Sequence, residues 1–267
     1  MQYIFMRVSV PVFGSALVAE SRALFAALFL VPAALLAGQR IGPLANWKDH
    51  LGIWLLNNVL PFACFAWAAT ALPASYLAIL NGTIPLWTAL FAAWLLDEPL
   101  GARRIAGFAL GLAGVALIVN LGPVELDAHT LLAAMAGLLG SACWAWAGII
   151  IKQRMGRLAP IGLAAGSIGF AAVLMLPFWA AAPQASAWTL EASASLIALG
   201  ALCSGVAYLA FFTLVRDIGP SRTLSIGFLV PVFGVAWGWL LLDEAVTVPM
   251  LAGAALVLVA MALVLRR

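Results

Sequence analysis

Charge is what this sequence has least of. Of its 267 residues only 9% are Asp, Glu, Lys or Arg, and 66% are apolar. A soluble globular domain carries about 25% charge, so this chain cannot cover itself with a polar surface. Histidine is scarcer still. His50 and His129 are the only two, and both stand at the edges of apolar runs, where water solvates them. The three cysteines, Cys64, Cys143 and Cys203, lie inside apolar runs at no metal-ligand spacing and read as packing residues. No metal site and no cofactor is expected. A formal charge of +3 and a pI near 9.0 would suit a nucleic-acid binder. The cations are scattered singly or in small groups between apolar runs, which excludes that reading.

What the chain has is long runs without charge. A membrane-spanning helix needs about 20 mainly apolar residues, because a hydrocarbon core about 30 Å thick is crossed at 1.5 Å per residue. Residues 23–39, 51–96, 105–124, 130–151, 158–190, 192–215, 223–242 and 245–265 contain no Asp, Glu, Lys, Arg or His. The second run is long enough for two spans, with a turn expected at Ala71-Leu72-Pro73-Ala74, where proline favours a break. The expectation is nine complete spans, with residues 1–9 a stub too short to cross. The cations then alternate. Arg40 and Lys48, Arg103 and Arg104, Lys152, Arg154 and Arg157, Arg216 and Arg222, and Arg266 and Arg267 fall on alternate loops or at the C-terminus. The intervening loops carry Glu125, Asp127, Glu191, Asp243 and Glu244 or no charge. The positive-inside rule puts the cationic loops and the C-terminus in the cytoplasm, in a multi-pass protein of the cell membrane.

An offset of 146 residues superposes two segments. Pro85 to Asp97-Glu98 meets Pro231 to Asp243-Glu244, both ending in Leu-Leu-Asp-Glu. In the same register Ala106-Gly107 meets Ala252-Gly253 and Ala116-Leu117 meets Ala262-Leu263. The repeat unit holds five spans. Five is odd, so the copies must be inverted in the membrane. Inverted repeats with a site at their interface mark secondary transporters. The boundary is placed between repeats 1–124 and 125–267. The offset leaves 130–151 without a complete partner, so the first helix of the first repeat is expected to be truncated, with Met1–Phe5 as its remnant.

These hairpins, the Ala-Gly pair that opens the next span in each half, and Gly219-Pro220-Ser221-Arg222 resemble the EamA-type permeases of the drug/metabolite transporter superfamily. The similarity covers nearly the whole chain. It implies an all-α bundle of ten-helix, two-repeat type that exports small metabolites, amino acids or drugs by alternating access. It does not imply which substrate.

Candidate site residues follow from polar or broken positions inside the runs. A proline within a helix leaves the carbonyl four residues earlier unpaired, and in lipid such a group needs a partner or a water-lined cavity. Pro85 frees Asn81 in this way, Pro231 frees Gly227, and Pro61 frees Asn57. Pro85 and Pro231 occupy matched spans, although proline kinks also merely shape bundles. Asn57, Asn58 and Asn81 either line a cavity or bond between helices. Tyr76, Trp144 and Tyr208 either line the same cavity or pack. Trp94 and Trp239, near span ends, suit an interfacial belt. Glu20 and Arg22 are read as opening the first complete span, with Glu20 a candidate for proton coupling, or else as reaching the headgroups from a helix end. Asp97-Glu98 and Asp243-Glu244 are expected to cap the helices that follow them. Gly107-Phe-Ala-Leu-Gly111 is a GxxxG string and predicts close helix contact.

No enzyme is expected. An intramembrane protease or acyltransferase needs a buried nucleophile–base or metal constellation, and no His-Glu-x-x-His, Gly-x-Ser-x-Gly or paired mid-span carboxylate occurs. A passive channel or structural membrane protein is the alternative to a carrier, although no ring of charge or filter loop is visible. The partners expected are the bilayer and a small solute, with a homodimer left open.

Overall fold

The computed structural model describes residues 1–38, 41, 47–96, 101–121, 127–154, 160–181, 188–218, 227 and 229–265. Among them the backbone is almost wholly helical and has no strand, as expected where lipid offers no hydrogen bonds. The helices are α1 Gln2–Leu36, α2 Trp47–Trp54, α3 Leu60–Ala68, α4 Ala74–Asn81, α5 Ile84–Leu95 and α6 Ala102–Leu121. They continue as α7 Ala128–Arg154, α8 Pro160–Ala181, α9 Leu190–Gly200, α10 Ala207–Ile218, α11 Leu229–Leu242 and α12 Val248–Leu265. Among the described residues six stretches are long and apolar enough to cross a membrane: Gln2–Leu36, Leu51–Ala68, Ala74–Leu95, Ala128–Ile151, Leu190–Phe211 and Val248–Leu265. The other three charge-free runs overlap α6, α8 and α11. The expected turn near Pro73 lies between α3 and α4.

The N-terminal region differs from expectation. The 35 residues of α1 are not one rod. Gly14 has φ 76° and ψ 158°, a conformation outside the helix and essentially reserved for glycine. Gln2 and Arg22 would stand about 30 Å apart on a straight helix, yet the Gln2 Oε1 atom is 2.7 Å from Arg22 Nη2. The chain therefore folds back at Gly14 into two helical arms, 2–13 and 15–36. Residues 1–9 belong to a helical arm that extends to residue 13, well beyond the Met1–Phe5 remnant. Its Arg7 donates to the Ala69 carbonyl at 3.1 Å and its Ser9 to the Ala192 carbonyl at 3.3 Å. Glu20 and Arg22 are therefore not at a helix end. They lie well inside the second arm and are 1% and 4% exposed. Reading spans as runs without charge misplaced the boundary, because charges that face protein need not end a membrane helix.

Around α1 pack α8, α9 and α3, while α6 runs along α12. The α6–α12 contact is set by glycine. A side chain at Gly107 would stand 2.7 Å from Val264 Cγ2 and 3.1 Å from the Ala260 carbonyl oxygen. One at Gly253 would meet Ile118, and the Gly114 carbonyl oxygen at 2.6 Å. Gly107 and Gly253 are 146 residues apart, as are Ile118 and Val264, and Gly114 and Ala260. The close helix contact expected of Gly107 is present. Asp127 precedes α7 and accepts the Thr130 backbone N–H at 2.7 Å, a bond that holds its carboxyl below the usual carboxylate range.

Candidate functional site

Among the described residues two helices loosen into π-helical turns. Leu55–Val59 separates α2 from α3, and Ala201–Val206 separates α9 from α10. Their first residues are 146 apart. A π-turn carries an i→i+5 bond, widens the helix and frequently marks a functional site. Here it brings polar side chains into the bundle interior. Asn58, in the first turn, is fully buried, and Ser204, its partner under the same offset, is 2% exposed. One turn further on stand Phe62 and Tyr208, again 146 residues apart.

Arg22 joins the two sets. Its Nε donates to Ser204 Oγ at 3.0 Å and its Nη2 to Gln2 Oε1 at 2.7 Å. Its guanidinium carbon sits 4.0 Å from the Phe62 ring centroid. Among the described residues Tyr208, Tyr3 and Cys203 are ionisable groups that act on its charge. Asn57 Nδ2 donates to Tyr208 Oη at 3.4 Å, and Tyr208 Oη donates to Asn58 Oδ1 at 3.4 Å. Trp144 Nε1 donates to the Asn57 carbonyl at 2.8 Å. That carbonyl is the one Pro61 leaves free, so an indole replaces the missing backbone donor. Trp144 also stacks on Phe65, which meets Tyr3. Several polar atoms here are buried without a partner: Arg22 Nη1, Asn58 Nδ2 and Tyr3 Oη, and both carboxylate oxygens of Glu20.

Of the residues singled out in the sequence, Arg22, Asn57, Asn58, Trp144 and Tyr208 meet in this cluster. The others do not. Tyr76 is 2% exposed and donates to the Ile118 carbonyl at 3.4 Å. With Ile79, Leu80, Val115 and Ile118 it lines a void of ≈ 10 Å³, the space of about one water molecule. Asn81 and Pro85 flank the break at Gly82-Thr83 between α4 and α5, so Pro85 sits in the first turn of α5. Pro231 likewise sits in the first turn of α11, whose range opens at Leu229. In a first turn the missing N–H has no intrahelical partner to lose. The matched prolines thus act by position. A side chain on Gly82 would stand 2.6 Å from Pro231 Cγ, which places the break in α4–α5 directly against the start of α11. The Leu80 carbonyl at that break accepts from Ser141 Oγ at 2.9 Å and Thr83 Oγ1 at 2.6 Å. A side chain at Gly227 would find Met261 Cε 3.5 Å away. Trp94 and Trp239 are exposed. Asp97-Glu98, Glu125 and Gly219-Pro220-Ser221-Arg222 lie outside the described residues.

Glu244 caps a helix, though not the one that follows it. Its carboxylate accepts the backbone N–H of Ala74 at 2.6 Å and of Ser75 at 3.0 Å, and the Ser75 hydroxyl at 2.6 Å. It therefore closes the N-terminus of α4, in the first half of the chain. Gln2, Tyr3, Phe62 and Ser204 escaped the sequence reading. Ser204 and Phe62 could have been found by carrying Asn58 and Tyr208 across the 146-residue offset.

The profile of the EamA-like transporter family matches residues 1–120 and again residues 131–266. The chain belongs to the EamA-like transporter family. Among similar proteins, "Uncharacterized transporter YvbV" of Bacillus subtilis is 28% identical over 93% of this chain and 81% of its own length. "Uncharacterized inner membrane transporter YedA" of Escherichia coli K12 is 27% identical over 88% of this chain and 76% of its own. A solved crystal structure with 18% sequence identity covers 98% of this chain and 93% of its own with a TM-score of 0.66, a likeness of fold. This EamA-like chain is thus a multi-pass membrane protein with the frame of a transporter.

Proposed function

We propose that the protein is a secondary carrier of small metabolites, amino acids or drugs that works by alternating access, built from inverted repeats 1–124 and 125–267 in a bundle of ten-helix type. One observation carries this reading. The buried polar cluster is assembled from matched positions of both halves, Asn58 with Ser204 and Phe62 with Tyr208, and Arg22 touches one member of each pair. A site on the seam between repeats is the one place that both sides of the membrane can reach in turn when the repeats exchange conformations. The matched π-turns, the matched glycine contacts of α6 and α12, and the approach of Pro231 to Gly82 fit the same arrangement. Glu20, buried and without a hydrogen-bond partner, is the group we assign to coupling.

Counterflow in proteoliposomes tests this. Vesicles loaded with an unlabelled solute should accumulate the same solute in labelled form, transiently and saturably. A panel of labelled organic acids, amino acids, nucleosides and dyes identifies the class. Glu20→Gln is expected to leave exchange intact and to remove the response of net uptake to an imposed pH gradient. Flux that rises linearly with concentration and shows no counterflow would identify a channel instead.

A further inference from the structure

Resting on the carrier reading, we propose that the Arg22 cluster binds the carboxylate of a small organic monoanion with an apolar body. A guanidinium stays protonated in proteins, so Arg22 holds a full positive charge at 4% exposure. Burying a charge is costly unless it is paired. Among the described residues its side-chain hydrogen-bond partners are neutral, Ser204 and Gln2, and the ionisable groups that act on its charge are Tyr208, Tyr3 and Cys203, none of them a carboxylate. The nearest carboxylate in sequence, Glu20, lies two residues along the same arm, on another face of the helix, with both oxygens unpartnered.

The unpartnered atoms at the cluster have one chemistry in common. Arg22 Nη1, Asn58 Nδ2 and Tyr3 Oη are all able to donate, and none has an acceptor. One unused nitrogen of the cation and two further unused donors in the same cluster call for an acceptor-rich anion. The charge sets its valence: one buried cation is balanced by one negative charge, and a dianion would leave a net charge in the same low dielectric. The surroundings set the rest of the molecule. Phe62 lies under the guanidinium, and Tyr3, Phe65 and Trp144 form a continuous aromatic surface. The carboxylate takes the unused donors, and the apolar body lies on the rings once the halves part to admit it.

Purified full-length protein in detergent is titrated with benzoate and hexanoate, each against its amide, and with phenyl phosphate, reading thermal stability and tryptophan fluorescence. Each acid is expected to bind at least tenfold more tightly than its amide, with phenyl phosphate no tighter than benzoate. Arg22→Gln should abolish the preference for the acid. Asn58→Asp is the complementary variant. It places an internal carboxylate against Tyr208, which acts on the Arg22 charge, so thermal stability should rise while acid binding is lost, a pair of changes that mere misfolding cannot give. Equal binding of acid and amide, tighter binding of phenyl phosphate, or an acid preference retained in both variants overturns the proposal. The carrier reading fails separately. Counterflow confined to neutral or cationic solutes removes the anion site and leaves the carrier, whereas carboxylate binding without counterflow of any solute does the reverse.

Discussion

Glu20 and Arg22 look alike in the sequence and differ in the structure. Both interrupt an apolar run and both are buried, yet Arg22 is held by Ser204, Gln2 and the face of Phe62, while Glu20 has no partner for either oxygen. A run of apolar residues reports contact with lipid. It is silent about a charge that faces protein, so these residues were legible as candidates but not as interior ones. The break that places them was legible only as an ordinary glycine. Gly14 has no atom within 4 Å of where a Cβ would lie, so its requirement is conformational alone. Gly14→Ala is expected to cost about 1–3 kcal/mol, the usual penalty for a non-glycine residue forced into such a region. Gly52→Ala is the control, because Gly52 also has an empty surrounding but no positive φ. A thermal melt in which the two variants unfold together would remove the strain argument and, with it, the need for glycine at the fold-back.

At the scale of elements, the spans and the turn near Pro73 were readable because lipid imposes length and apolarity on whatever crosses it. The π-turns were not. Leu55-Leu-Asn-Asn-Val59 and Ala201-Leu-Cys-Ser-Gly-Val206 share no signature, and a one-residue change in hydrogen-bond register leaves no trace in hydropathy. Their kinship appears only when structure and offset are combined. The cap from Glu244 to α4 was hidden for a different reason: it joins residues about 170 positions apart, and local pattern points only to the next helix. The α6–α12 contact gives an element-scale prediction. At Gly253 an added methyl would press on the Gly114 carbonyl, which is backbone, whereas at Gly107 the nearest atom is the tip of the Val264 side chain. Gly253→Ala should therefore destabilise the protein by about 1–3 kcal/mol, the usual range for overpacking, and Gly107→Ala by less, measured by thermal inactivation in detergent. The reverse order would mean that α6 and α12 do not approach through these residues.

At the scale of the whole molecule, the proposed carrier requires an orientation in the membrane and an exchange between two states. Arg103, Lys152 and Arg216 are expected in the cytoplasm, and Glu125 and Glu191 outside, from the alternation of cations along the sequence. Single cysteines at these positions, in a background lacking Cys64, Cys143 and Cys203, should react accordingly with an impermeant maleimide in intact cells and in inverted vesicles. Outside labelling at 103 together with inside labelling at 125 would reverse the orientation. In this assignment the Glu244–Ser75 bond ties the two halves together on the outer side, so opening to the outside requires it to break. The most direct test of a site on the seam reached in turn from both faces is one accessibility measurement. Ser204→Cys is introduced in the cysteine-free background, with and without a disulfide between Ser75→Cys and Glu244→Cys. Without the disulfide, small impermeant thiol reagents should reach position 204 from the outside in intact cells and from the inside in inverted vesicles. With the disulfide formed, outside labelling should stop while inside labelling persists. Access from one face only, or outside access that the disulfide leaves unchanged, would contradict the account.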